Sequence, residues 1–251
     1  MYGFSTINHL PLGPVLFALG VAGLLFFARW EGRVPSPIFN MDLFRENRVF
    51  LFSNIAALIT YLSTFAVTFL LSLYLQYIKD LSPQRAGEVL LASSALMAIF
   101  TPVSGRISDK IEPRLVAGVG MALNCVALAM FIFLGSGTPL WYVIVALAFY
   151  GMGIGIFASP NSNAIMGAVE QRVLSVASGT LGTMRTAGMM LSMGIMMVLF
   201  SLYIGDAEIT PARYPDFLMS VRTGFIIFTA LSAGGLAIQI TARRRSAVPT
   251  R

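Results

Sequence analysis

The chain has 251 residues, 57% of them hydrophobic and 11% charged, with a mean hydropathy of +0.79. Soluble domains run at about 45–50% apolar and about 25% charged, so this chain lacks the polar surface to cover itself in water. That excludes a soluble enzyme, a nucleic-acid-binding domain and a disordered chain, and leaves an integral membrane protein. The formal net charge of +6 then reports on loop orientation, and no nucleic-acid partner is expected.

Only helices and closed barrels satisfy their backbone inside lipid. A barrel shows alternating segments of about ten residues, whereas the apolar runs here are continuous and about 20 residues long, the length of a spanning helix. Seven are legible, over residues 10–28, 49–76, 86–104, 115–134, 140–159, 176–204 and 217–241. The first follows a segment without Lys or Arg and leads into Arg29, Trp30, Glu31 and Arg33 rather than a small-residue cleavage site. It reads as a retained anchor. His9, before it, has no catalytic partner.

The second run carries a polar stripe. At about 100° per residue, Asn54, Tyr61, Thr64, Thr68, Ser72 and Gln76 fall within a third of a turn, with Thr60 and Ser63 outside it. Unpaired polar groups are costly against lipid, so the stripe either lines a wet cavity or binds another helix. The third run opens with Glu88, the one carboxylate within a run. It is either a buried proton carrier or part of a hydrated helix start near Arg85.

Residues 105–114 then form a short loop rich in both signs. Gly105 is expected to let the two helices turn sharply. Asp109 is expected just before the next helix, where the helix dipole favours a carboxylate and a nearby Arg pairs with it. The fourth run holds Cys125, the single cysteine. No intrachain disulfide or cysteine metal cluster is possible, and no metal or cofactor is expected.

In the fifth run Tyr142, Phe149, Tyr150 and Phe157 share an arc of about 100°, a face suited to apolar or cationic organic ligands. Alternatively they fill space opposite Gly151, Gly153 and Gly155, which permit close packing or bending. Pro160, Asn161 and Asn163 are expected to end or kink this helix. Arg185 lies about 15 Å into the sixth run. It must face water or a partner, and no acidic residue stands in the neighbouring turns. Met184, Met189, Met190, Met193, Met196 and Met197 crowd the same run, as an adaptable surface or as gap fillers. The seventh run has no lysine, so no retinal Schiff base forms there.

Suppose the N-terminus is outside. The inner segments then hold Arg29, Arg33, Arg45, Arg48, Arg106, Lys110, Arg114, Arg172, Arg243, Arg244, Arg245 and Arg251, and the outer ones only Lys79, Arg85, Arg213 and Arg222. This places the C-terminus in the cytoplasm and the basic tail against anionic lipid.

Gly105, Asp109, Lys110 and Arg114 resemble the G-x-x-x-D-R/K-x-G-x-R/K signature of the major facilitator superfamily, with Glu112 at the second glycine's place. Other segments are similar to the C-terminal half of fourteen-helix drug:proton antiporters. They are Glu31 to Phe50 with Leu43-Phe44-Arg45, Tyr74-Leu75-Gln76 with Leu81-Ser82-Pro83, and Ser178-Gly179-Thr180 through Met184-Arg185-Thr186. The resemblance runs from about Gly13 to Arg245.

It implies an all-α membrane fold: a spacer helix and linker (1–47), two three-helix inverted repeats (48–134 and 135–243) and a basic tail (244–251). It further implies a half-length secondary transporter, not an enzyme, in the cell membrane. Proton-coupled export of small amphipathic or cationic molecules is the family expectation. Partners would be lipid, a small-molecule substrate and a second half-transporter or second copy.

By the resemblance, the first helix of each repeat lines the cavity, which assigns Asn54, Tyr61, Thr64, Thr68, Tyr142, Phe149 and Tyr150 to the substrate. Gly105, Asp109, Lys110 and Arg114 form a gating loop, and Glu88 and Arg185 are the coupling candidates. The competing expectation is a truncated or non-transporting membrane partner.

Overall fold

A computed structural model describes residues 47–205 and 210–246, together with Ala22 and Phe44. The run over 10–28, nearly all of the spacer and linker, and the tail beyond 246 lie outside the described residues.

Each helix begins where the local chemistry supplies a start. Asn47 accepts from the Phe50 amide at 3.0 Å and opens α1, Arg48–Leu73, as an N-cap side chain does. The chain continues through a π-helical turn, Tyr74–Ile78. Ser82 caps α2, Pro83–Ser108, with proline in its first turn, where a missing N–H costs nothing. Pro113 likewise starts α3, Pro113–Ile132. Then follow α4, Leu140–Met166, α5, Leu174–Tyr203, and α6, Tyr214–Ser246. Among the described residues, six helices are long and apolar enough to cross a bilayer.

The helices differ in how much of them is buried. Half of the most apolar window is buried in α1 and in α4, against 6% in α2. α1 packs chiefly on α5 and α6, α4 on α2 and α3, and α3 also meets α6. The first helix of each triplet therefore contacts the second and third helices of the other. The main core joins Leu70 and Leu71 of α1 and Tyr74 of the π-helical turn to Leu128 and Phe131 of α3, Leu147 and Tyr150 of α4, and Phe225 and Phe228 of α6.

Glycines set the closest approaches. A Cβ at Gly151 would run into the Ser93 carbonyl of α2, and one at Gly155 would lie 2.9 Å from the Met97 carbonyl. On another side of α4, a Cβ at Gly153 would lie 2.7 Å from the Asn124 amide of α3, and one at Gly120 would lie 2.5 Å from the Phe157 amide. The glycines of the fifth run thus serve close packing, as small residues do between membrane helices.

α4 does not end at Pro160. It runs six residues further, to Met166, although proline removes the bond to the carbonyl four residues back and crowds that carbonyl. Asn163 beyond it donates from Nδ2 to the Ser108 hydroxyl at 2.8 Å and ties the ends of α4 and α2.

The segment read as a ten-residue loop is mostly helix. Gly105 through Ser108 form the last turn of α2, and α3 resumes at Pro113. Gly105 does not turn the chain. It makes room for α4, since a Cβ there would stand 2.9 Å from the Ser159 hydroxyl. Asp109 is the C-cap of α2 rather than the start of α3, and Glu112 takes the N-cap position. Glu112 has φ −49°, a value any residue adopts, so this backbone does not require the signature's glycine.

At the opposite end, the Tyr74 hydroxyl donates to Gly135 O at 2.8 Å and Lys79 Nζ to Ser136 O at 2.6 Å. Partial burial holds the Lys79 ammonium below the usual lysine range.

Candidate functional site: the open face of α1

Contacts divide the circumference of α1. Gly188 of α5 lies against the Leu58 carbonyl, 2.6 Å from its would-be Cβ, and the Ala66 amide donates to the Ser192 hydroxyl at 2.9 Å. α6 brings Gly235 onto Ile59 and Gly224 onto Leu70. α3 brings Asn124 to Ser63, and α4 brings Phe157 to Tyr61 and Tyr150 toward Ser63 and Thr64. The arc left between α4 and α5 is the one that carries the polar stripe.

Along that arc Tyr61, Thr64, Ser72 and Gln76 are half-buried and Thr68 is exposed. Their polar groups bond within α1: Thr64 Oγ1 to Thr60 O and Thr68 Oγ1 to Thr64 O, each at 3.3 Å, and Gln76 Nε2 to Ser72 O at 3.0 Å. Thr64, Thr68 and Gln76 thus have partners in their own stretch of helix and do not depend on a neighbouring helix for them. Asn54, near the start of α1, is the exception. It is fully buried, donates to Phe50 O at 2.9 Å and leaves Oδ1 without a partner.

Arg185 reaches this face from α5. Its guanidinium carbon lies 5.0 Å from the Tyr61 ring centroid, while the edge of Phe157 approaches the same ring at 6.4 Å. A guanidinium over an aromatic face at this distance is a cation–π pair. The partner that Arg185 required is thus an aromatic ring rather than an acid. Further along the face, Phe65 stacks on Phe69 at 5.9 Å, and Phe69 meets Phe200 of α5 edge-on at 5.8 Å. Sequence reading passed over these three phenylalanines. The spacing of Phe65 and Phe69, four residues apart beside the stripe, was the available signal.

The aromatic arc of α4 does not join this face as a unit. Tyr150 and Phe157 are buried between helices. Phe149 packs against the main core. Tyr142 donates its hydroxyl to Met130 O at 3.0 Å and pins the start of α4 to the end of α3. The arc is a packing surface, roughly opposite Gly151 and Gly155.

Behind it lies a buried polar cluster at mid-helix. Asn124 Nδ2 reaches Ser63 Oγ at 3.5 Å, and the Thr60 hydroxyl, Asn124 Oδ1 and the Tyr150 hydroxyl make no hydrogen bond.

Glu88 is exposed, with Gln84 Nε2 3.3 Å from its Oε1. Asp109 and Lys110 are exposed, whereas Arg114 is buried and its carbonyl accepts from Gln239 at 3.1 Å. Met196 is core, while Met190, Met193 and Met197 line an apolar groove of about 360 Å³ with Leu191, Val198 and Ile227. Gap filling and an accessible methionine surface coexist on α5. Cys125 is half-buried, its thiol toward Thr229 O at 3.9 Å.

Six apolar helices packed through glycines, with one amphipathic face left open, define a polytopic membrane bundle. The Major Facilitator Superfamily model matches residues 53–250, and the chain belongs to that family of membrane transporters.

Similar proteins include the Riboflavin transporter RibZ of Clostridioides difficile, 31% identical over 170 residues, or 66% of this chain and 37% of that protein. The Methylenomycin A resistance protein of Streptomyces coelicolor is 28% identical over 74% of this chain and 39% of its own length. The Methyl viologen resistance protein SmvA of Salmonella typhimurium is 25% identical over 93% and 46% respectively. The chain spans less than half the length of these relatives. They are named as a transporter and as resistance proteins, not enzymes, and a multi-pass chain of this family sits in a lipid bilayer.

Proposed function

We propose that this chain forms one bundle of a secondary transporter that moves small amphipathic molecules by alternating access. The observation that carries this reading is the open face of α1. Polar side chains, an arginine and a phenylalanine cluster share one arc between α4 and α5, in a family whose named relatives handle riboflavin or confer drug resistance.

The face forms one wall of the substrate path, and a second bundle forms the other. Proton-driven export across the cell membrane is the mode, with the C-terminus in the cytoplasm. The pairing of helices favours two inverted three-helix repeats, because α1 and α4 exchange equivalent partners. The turn after α2, with Gly105, Asp109, Lys110 and Arg114, controls closure of the inner mouth. Glu88, exposed in the second turn of α2, and Arg185 are the candidates for coupling transport to protons.

The test is uptake of riboflavin and of methyl viologen into proteoliposomes, with and without an imposed pH gradient, by the full chain alone and with a co-reconstituted N-terminal bundle from a relative. Gradient-dependent accumulation supports the reading. Absence of movement in every arm sinks it.

A further inference from the structure

We infer that the Arg185–Tyr61 pair is a binding site for the anionic group of a planar aromatic ligand, and that this face therefore prefers organic anions to organic cations. The inference rests on the transport reading only in taking this face as the substrate wall.

Three observations carry it. The first is depth. Arg185 stands 11 residues into α5, further from a helix end than Arg222 in α6 or Glu88 in α2, and about 16 Å along the axis. The second is the lack of compensation. α1, α4 and α5 contain no Asp or Glu, and the acidic residues of the other helices stand in their first two turns. A guanidinium at this depth seeks a counter-charge.

The third is the geometry of what Arg185 already holds. Its contact is with the face of the Tyr61 ring, and among the described residues it donates no hydrogen bond. The planar fork of five N–H donors, which fits a carboxylate or phosphate in bidentate fashion, is left open. The side chain is exposed on the open arc rather than sealed between helices.

The rest of the face fixes the aromatic half of the ligand. Phe65 and Phe69 follow Tyr61 at intervals of four residues, and Phe200 closes on Phe69 from α5. From Tyr61 to Phe69 the helix rises about 12 Å. A ligand of roughly that length would place its anionic group on Arg185 and its ring among the phenylalanines, with Thr64 and Thr68 beside it. A cation in the same pose would meet the guanidinium directly.

Two dyes on one scaffold test this: fluorescein, an anionic xanthene, and a rhodamine ester, its cationic counterpart. Each is titrated by fluorescence anisotropy against the full chain in phosphatidylcholine nanodiscs, above neutral pH. The expected result is tighter binding of fluorescein, by about tenfold, as one charged hydrogen bond implies. Arg185→Gln then loses roughly that factor for fluorescein and not for rhodamine. Arg185→Lys keeps part of it, and Tyr61→Phe, which keeps the ring, keeps nearly all.

Equal fluorescein affinity in Arg185→Gln, a wild-type preference for rhodamine, or no dye binding by the wild type would each overturn the inference. So would loss of fluorescein binding when phosphatidylglycerol is added, because a lipid headgroup would then be the anion. Dye movement in proteoliposomes that ignores Arg185→Gln removes this inference alone. Arg185-dependent binding without movement removes the transport reading and leaves the site.

Discussion

α4 and α1 hold corresponding places in the bundle, each packed on two helices of the other triplet, yet their surroundings differ. α4 is clamped: Gly151 and Gly155 bring α2 to backbone contact on one side, and Gly153 brings α3 equally close on another. α1 meets α5 through one comparable contact, at Gly188 and Ser192, and leaves an arc open beside it. Close backbone contact gains dispersion and excludes other occupants, whereas an arc of self-satisfied hydroxyls and aromatic rings stays available for a ligand. The same helical scaffold thus gives one rigid joint and one receptive face.

Breaking the rigid joint has the largest expected effect. Gly151→Leu drives a side chain into the backbone of α2, where no rotamer change relieves the contact. Overpacking usually costs about 1–3 kcal/mol and more where it cannot be relieved, and against backbone we expect no monodisperse folded protein in detergent by size-exclusion chromatography. The control is Gly179→Ala on α5, whose Cβ meets nothing within 4 Å. It should raise the melting temperature, by roughly 0.5–1 kcal/mol of helix propensity. If both substitutions act alike, the glycines differ in nothing but propensity.

Gly188→Val is the matching cut at the other joint and should cost roughly 2 kcal/mol. It separates α5 from α1 at one point and so also displaces Arg185 from Tyr61. A folded but less stable protein, with the fluorescein preference lost, would mark this joint as the one that shapes the face. Retention of the preference would show that Arg185 does not depend on the α1–α5 contact.

Much of this was legible in the sequence. The spanning helices appear as uninterrupted apolar runs of fitting length, and the stripe from Tyr61 to Gln76 follows from periodicity. Two things were not. Periodicity shows which residues share a face, not which helix covers it, so the aromatics of α4 left a ligand-facing and a packing reading open, and the burial of Tyr150 and Phe157 favours the second. Helix ends were also hidden. Proline at 160 and glycine at 105 ordinarily signal a break, but α4 continues past the first and α2 includes the second, because close helix packing outweighs the local preference. The pairing of Arg185 with Tyr61 depends on the approach of α5 to α1, which no spacing within one helix reveals.

The polar cluster behind Tyr150 offers a smaller test of whether the interior near the open face is structural. Asn124 Oδ1 and the Tyr150 hydroxyl are buried without hydrogen bonds, each a desolvation cost of about 1–3 kcal/mol. Replacing Asn124 by Leu and Ser63 by Ala together removes both members of one weak contact. The expected change in thermal stability is therefore within about 1 kcal/mol, with Asn124→Leu alone slightly worse. A much larger loss would place an unseen partner, such as ordered water, in that cluster.

The smallest effect is expected at the turn after α2. Glu112 has negative φ, so Glu112→Gly restores the signature's glycine without relieving strain. It loosens the unfolded chain and also removes the interaction that the Glu112 side chain makes, together worth roughly 1 kcal/mol of lost stability. Differential scanning fluorimetry of the two purified proteins measures it. A gain in stability instead would mean that the backbone at this turn visits a left-handed conformation that glutamate resists, and that the turn rearranges more readily than the α4 joint it adjoins.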